Sequence, residues 1–320
     1  MSLPPCRELS LRGGGRATAA SAGSYPASLT NSAANGILTD YAANGVLTDV
    51  GYHVAMDLSP AWYDAIAVRT SQRRYTPTPL PDAAAARLRA FGAADGSSPD
   101  ARLTLIDSDV DHLFTGVFGS YGAVAGAPLA AAFVGREGCE GAVGYLGEAF
   151  VLEATTLGLG TCWIAGSFDK QRAGGVLALA PGERVMALTP VGKPVERRPR
   201  GERLMRRAMK ASGRLPLATI APGIEAATDG EAAGGASWPV WARTAVEAAR
   251  LAPSGVNRQP WRFRDDSDGL VLTRAAKRYW TAPLDLGIAK LHVELGAAHE
   301  GVSGAWQPLA EPDVARFVAD

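Results

Sequence analysis

LAPSGVNRQPWRF, residues Leu251 to Phe263, fits neither a helix nor a strand. Pro253, Gly255 and Pro260 interrupt any regular hydrogen-bond ladder. Between them, Ser254, Asn257 and Gln259 carry short polar groups that both donate and accept. Trp261 and Phe263 then tie the stretch to apolar surroundings. A rigid loop of this kind at the end of a helix suits the edge of a flat ligand with polar rims. An ordinary helix-to-strand connection uses the same residue types, and composition alone leaves both readings open.

Outward from that loop, Ser237-Trp238-Pro239 reads as a helix start, and the helix runs into Leu251. Downstream lie a strand, Leu270 to Arg274, and a helix from Asp285 to Ala298. Upstream, Ala221 to Ser237 is an Ala/Gly-rich linker, preceded by a basic run in which Lys193 to Arg214 holds nine basic residues and two acidic ones. That run lacks the aromatic interleaving of a nucleic-acid surface and reads as a solvated helix, with Arg203 a candidate to lend charge to a phosphate.

An earlier unit starts at Ser59-Pro60, a helix expected to continue through Arg69 to Tyr75. A short helix follows at Asp82 to Phe91, then strands at Arg102 to Ile106 and Leu129 to Val134. Tyr145 to Leu157 has one apolar face and a Gly158 stop, and predicts a helix. Gly158 to Phe168 reads as a strand leading into a loop, and Val185 to Pro194 as a buried strand. Helices alternating with apolar strands predict a layered α/β or α+β fold.

Bulk properties narrow the class. The 320 residues suffice for one large or two modest domains. Thirty-two basic residues balance thirty-two acidic ones, so charge gives no reason to expect nucleic acid or an anionic membrane as partner. Three widely spaced cysteines, Cys6, Cys139 and Cys162, form no CxxC pair, which argues for a reducing compartment and against both a disulfide framework and a zinc site. No window approaches the ~20 apolar residues of a membrane-spanning helix, and the expected location is the cytoplasm. Residues 1–57 are rich in Ala, Ser, Gly and Asn and carry a near-repeat, AANGILTDY then AANGVLTDV, over Ala33 to Val50. They read as a flexible extension or an upstream start site; a transit peptide is the alternative, but no amphipathic helix is present.

Two further stretches carry chemistry. At the expected helix end, Arg69, Ser71 and Arg73 stand at i, i+2 and i+4. Two guanidiniums and a hydroxyl can grip a phosphate through charge-assisted hydrogen bonds, although a solvated cationic helix end has the same composition. GLGTCWIAG, Gly158 to Gly166, runs helix then strand, the reverse of a dinucleotide fingerprint, which excludes a Rossmann reading. The four histidines, including His292, show no ligand spacing and read as ordinary polar residues. Asp285 and Glu294 read as structural.

Three segments together resemble the nitroreductase family of FMN-dependent oxidoreductases. RTSQR, Arg69 to Arg73, is similar to the RRSxR signature, with Thr70 in place of the usual second residue. GLGTCWIAG is similar to the segment that presents backbone N–H groups to the flavin near N5. Ala252 to Trp261 matches the APSxxNxQPW loop. The resemblance spans roughly Ser59 to Trp306. The order of the segments, with about 180 residues between the first and last, resembles the single-chain TM nitroreductase branch, whose polypeptide forms an internal pseudo-dimer.

That resemblance implies an α+β fold, a nitroreductase-like three-layer α/β/α sandwich with an internal pseudo-dimer in one chain. Its halves would lie at 58–200 and 238–320, joined by 201–237. It implies FMN held by Arg69, Thr70, Ser71 and Arg73, by Trp163, Ile164, Ala165 and Gly166, and by Pro253, Ser254, Asn257 and Gln259. Arg73 is then the first choice for charge near N1–O2, and Trp163 reads as a packing residue. NAD(P)H would be the electron donor and a nitroaromatic, a quinone or a similar small molecule the acceptor. One copy of each motif implies one FMN per chain and a monomer sufficient to hold it. The alternatives are a flavin-binding or storage protein, a degenerate homologue without FMN, and a dehydrogenase or dehalogenase on the same fold.

Overall fold

The computed structural model describes residues 56–94, 97–98, 100–114, 124–196, 213–224, 238–266, 268–277 and 279–320. All fall within one compact unit, Thr48–Asp320. The extension with its near-repeat, most of the basic run and most of the linker lie outside the described residues.

The chain builds the same sheet twice. β1 (Ala101–Ile106), β2 (Leu129–Arg136), β3 (Gly160–Thr161) and β4 (Glu183–Gly192) form an antiparallel sheet in the order β1-β2-β4-β3. β5 (Trp261–Asp266), β6 (Gly269–Arg274), β7 (Gly304–Pro308) and β8 (Asp313–Ala319) repeat it as β5-β6-β8-β7. In each half a long helix follows the second strand: α4 (Glu140–Thr156) and its counterpart α8 (Ala282–His299). A shorter helix precedes each sheet, α2 (Asp82–Ala94) and, after the single turn α6 (Leu217–Ile220), α7 (Val240–Arg250). The short second half therefore holds a complete sheet. Its strands β5, β7 and β8 were not anticipated from the sequence; β5 starts at Trp261, inside the stretch read as neither helix nor strand, with Trp261 and Phe263 buried and alternating with Arg262 and Arg264.

β2 shows how the layers stack. Leu129, Ala131 and Phe133 face the main core, with Leu146 and Phe150 of α4 and Leu88 and Phe91 of α2. Ala130, Ala132 and Val134 face the opposite side, where α3 (Val110–Leu113) and α5 (Lys170–Val176) cover the sheet with Val110, Leu113 and Ala173. A strand buried on both faces reads as a continuous apolar run, as LAAAFV does.

The two long helices meet at the centre, and both are buried on nearly every side. Gly144 and Gly287 allow it: a Cβ at either would run into the backbone of the other helix. Small residues let helix axes approach where a larger side chain would wedge them apart. A helix buried all round differs from the one-faced helix expected over Tyr145 to Leu157.

Two expectations are corrected. The first helix, α1 (Pro60–Val68), starts at Ser59-Pro60 as read but does not continue through Arg73. Arg69 already has ψ 124°, and the Gln72 N–H donates to Thr161 O at 2.7 Å. Pairing beside β3 outweighs local helix propensity. In extended backbone, residues at i, i+2 and i+4 point to one side, so the motif spacing survives by a different geometry. The second correction concerns the cysteines. Cys139 is disulfide-bonded, against the expectation of no disulfide, while Cys162 is free and buried.

Candidate functional site

Three separated segments converge at the junction of the halves. The first, Arg69 to Arg73, lies beside the second through a parallel bridge between Ser71 and Thr161. Gly160 makes this possible, because a Cβ there would meet the Gln72 side chain at 2.8 Å. Arg69 leaves α1 with its side chain only 6% exposed, and Nε stands 3.7 Å from Glu148 Oε1. Ser71 and Arg73 are half-buried and Thr70 is exposed.

The second segment, Trp163 to Gly166, leaves β3 with a fixed inner side. Trp163 packs against Phe133 at 4.8 Å between ring centroids and donates from Nε1 to Glu148 Oε2 at 2.7 Å. Its ring is thereby packed against β2 and α4. Ile164 is buried, and its N–H donates to Leu188 O at 2.9 Å. That amide is therefore committed to the sheet, leaving Ala165 and Gly166 as the outward part of the turn. The indole of Trp280 covers Gly166, where a Cβ would lie 2.9 Å from the ring. Trp280 is nevertheless 69% exposed.

The third segment, Pro253 to Gln259, is held in an unusual backbone shape. Val256, Asn257 and Gln259 all have positive φ, 54°, 55° and 49°. For a β-branched residue this is costly, and such strain concentrates at functional sites. Ser254 Oγ accepts from Gln259 N–H at 2.9 Å, closing the loop on itself. Gly255 lies against Thr281, and its N–H donates to Asp285 Oδ1 at 3.0 Å. Thr281 Oγ1 donates to the other carboxylate oxygen at 3.0 Å. Burial pushes the Asp285 carboxyl up to about 7, with those two hydrogen bonds pulling the other way.

The polar side chains of this loop grip the chain's own residues 213–215. Asn257 Nδ2 donates to Gly213 O at 2.8 Å, and Gln259 Oε1 accepts from Leu215 N–H at 2.9 Å. Their effect is to carry Arg214 into the site. Its Nη1 donates to Asn257 Oδ1 at 3.1 Å and its Nη2 to Leu251 O at 3.0 Å. Burial lowers the Arg214 pKa to about 10, and the charges of Arg69 and Arg250 push it the same way. Arg214 Nε and Arg69 Nε are both buried without a hydrogen-bond partner. Cationic donors gathered with unused N–H groups form a site for an anion.

Sequence reasoning missed four groups here: Arg214, Trp280, Glu148 and His292. Arg214 stood in a run read as solvated, and nothing marked Trp280. Glu148 did leave a signal, as a carboxylate inside an apolar helix. His292, read as an ordinary polar residue, is fully buried, with Nδ1 2.9 Å from Ala248 O and Nε2 3.1 Å from Glu148 Oε1.

Comparisons with known proteins identify the family. The family model described as "Putative TM nitroreductase" matches residues 61–297, which spans both halves and all three segments. The chain belongs to this nitroreductase family. Among solved structures, a "putative nitroreductase" from Thermotoga maritima is similar over 80% of this chain and 93% of its own, at 19% identity and a TM-score of 0.53. A nitroreductase family protein from Streptococcus pneumoniae matches 49% of this chain and 96% of its own, at 16% identity and a TM-score of 0.38. A Bacteroides fragilis nitroreductase with bound FMN covers 43% of this chain and 90% of its own, at 18% identity and a TM-score of 0.32. No curated protein matches the chain. Within this nitroreductase fold, the three motif segments meet where the first half adjoins the second.

Proposed function

We propose that the chain is an FMN-dependent oxidoreductase that passes reducing equivalents from NAD(P)H to a small planar acceptor such as a nitroaromatic or a quinone. The observation that carries this reading is the pair Arg69 and Arg214: a buried and a half-buried guanidinium that repel one another, each with a buried Nε that has no hydrogen-bond partner. A phosphate dianion meets both needs, offsetting the charge and accepting the orphaned donors. The residues present therefore fit FMN, and the family of the chain supports the same choice.

In this reading Arg69, Thr70, Ser71 and Arg73 hold the phosphate and ribityl chain, with Arg214 as a further phosphate donor. Trp163 and Ile164 fix the base of the second segment, so that Ala165 and Gly166 can offer N–H groups to the ring. Pro253, Ser254, Asn257 and Gln259 form the wall at the ring edge and keep Arg214 in place. Arg73 and Arg214 stabilise negative charge in a partly dry site, where fixed charges act more strongly than in water. FMN, when bound, supplies the redox chemistry itself, taking hydride at N5 and giving electrons to an acceptor; the protein's part is binding, orientation and electrostatics. Trp280, exposed above Gly166, gives a planar acceptor a ring to stack on.

The pseudo-protomers are residues 58–200 and 238–320, connected by 201–237. Since each motif occurs once, a single chain provides one complete cradle. We place the protein in the cytoplasm, where reduced nicotinamide is supplied, with the Cys139 disulfide an exception to that reducing setting. The test is oxidation of NADH and NADPH by purified, FMN-loaded protein with menadione or a nitrofuran as acceptor, followed by loss of nicotinamide absorbance. Turnover that depends on added acceptor supports the reading. Bound FMN without turnover identifies a flavin-binding protein instead.

A further inference from the structure

The buried pair Glu148 and His292 touches the first two segments of the candidate site and the helix that leads into the third. Both residues have no exposed surface. Glu148 Oε2 accepts from the Trp163 indole, which begins the second segment. Its Oε1 faces Arg69, which begins the first, at 3.7 Å. The same oxygen meets His292 Nε2 at 3.1 Å, and His292 Nδ1 lies 2.9 Å from Ala248 O in the last turn of α7. That helix runs directly into the third segment, and Leu251 O at its end accepts from Arg214. One carboxylate on α4 and one imidazole on α8 thus join each half to the other and both to the site.

Hydrogen positions follow from the partners. A backbone carbonyl can only accept, so His292 Nδ1 carries a hydrogen. The neighbouring residue supports the same geometry: a Cβ at Gly147 would strike the Trp163 ring, so glycine there lets the indole lie flat against α4.

We propose that Glu148 and His292 act together as the positioning pair of the cofactor site, holding Arg69, Trp163 and the end of α7 to a single buried point. The inference rests on the reading that these segments bind FMN. Glu153 supplies an internal control on the same helix. It is also buried, accepts from the Trp62 indole at 2.7 Å and pairs with Arg87. Its partners belong to α1 and α2, away from the second and third segments.

The experiment compares E148Q, H292Q and E153Q with the unsubstituted protein, by FMN titration and by hydrogen exchange of the FMN-free protein. Both Gln substitutions at the pair are expected to weaken FMN binding at least tenfold. E148Q should raise exchange in 69–75, 160–166 and 251–259 together, and H292Q chiefly in 251–259. E153Q should lower the melting temperature as E148Q does while FMN binding and exchange in those segments stay unchanged. The proposal is overturned if E148Q binds FMN normally, or if E153Q weakens it equally. Should the unsubstituted protein bind no FMN, the flavin reading fails, and exchange alone decides: increases confined to 160–166 in E148Q overturn the pair's role as well.

Discussion

Gly144 and Gly287 are mirror partners across the centre of the molecule. A Cβ on Gly144 would strike the carbonyl of Leu284, and one on Gly287 the carbonyl of Gly141. In both cases the obstructing carbonyl lies three residues before the partner glycine. That reciprocity is what a two-fold relation between α4 and α8 requires, and it matches the repeated strand order of the two sheets.

Alanine at either glycine should therefore cost stability by overpacking, about 1–3 kcal/mol or more because backbone cannot move aside as a side chain can. Urea unfolding of G144A and G287A measures this, and the two substitutions should behave alike. A loss at one position only would contradict the reciprocal crossing.

Arg214→Met should weaken FMN roughly tenfold to a hundredfold, from about 1.5–3 kcal/mol for a charged hydrogen bond. Riboflavin, which lacks the phosphate, should lose little. Parallel titrations of the two flavins check both halves of the statement. An equal loss for riboflavin would move Arg214 away from the phosphate.

The sequence made much of this legible, with different success at different residues. Pro60, the strand LAAAFV and the loop from Pro253 to Gln259 announced themselves, because turn chemistry and apolar runs are local signals. Arg69 to Arg73 was found as a motif but misjudged as helix, since its pairing partner Thr161 lies some 90 residues away. Arg214 stayed hidden for a related reason. A basic side chain in a basic run looks solvated until Asn257 and Leu251 are seen holding it. His292 shows that lack of ligand spacing does not make a histidine ordinary, because Glu148 reaches it from the other half of the chain.

Asp285 sets a pH dependence. Its carboxyl is pushed from 3.8 to about 7 by burial, so the folded state binds its proton more tightly than the unfolded state does. The stabilisation is fully present below about pH 4 and is lost as pH rises towards 7, by a few kcal/mol at most. Glu294, raised to about 7 by burial with Tyr145 donating to it, acts in the same direction. Melting temperatures from pH 4 to 8 should therefore fall less steeply for Asp285→Asn than for the unsubstituted protein. An unchanged slope would contradict the buried, proton-binding carboxyl.

Trp280→Ala should leave FMN binding intact and raise KM for planar acceptors about two- to tenfold, matching about 0.5–1.5 kcal/mol for an aromatic stack. Steady-state kinetics with a quinone and with a small non-planar acceptor, such as ferricyanide, separates stacking from a general effect. An equal change for both acceptors would remove Trp280 from substrate binding.

The central claim is that one chain builds one flavin cradle from Arg69, Arg214 and the loop at Asn257. The most direct test is the visible absorbance spectrum of the purified, FMN-reconstituted protein, with flavin released and counted against chain concentration. The account expects a flavin spectrum at about one FMN per chain, lost on combining Arg69→Met with Arg214→Met. Two FMN per chain would contradict the single cradle, and a colourless protein that takes up no FMN would contradict the flavin assignment itself.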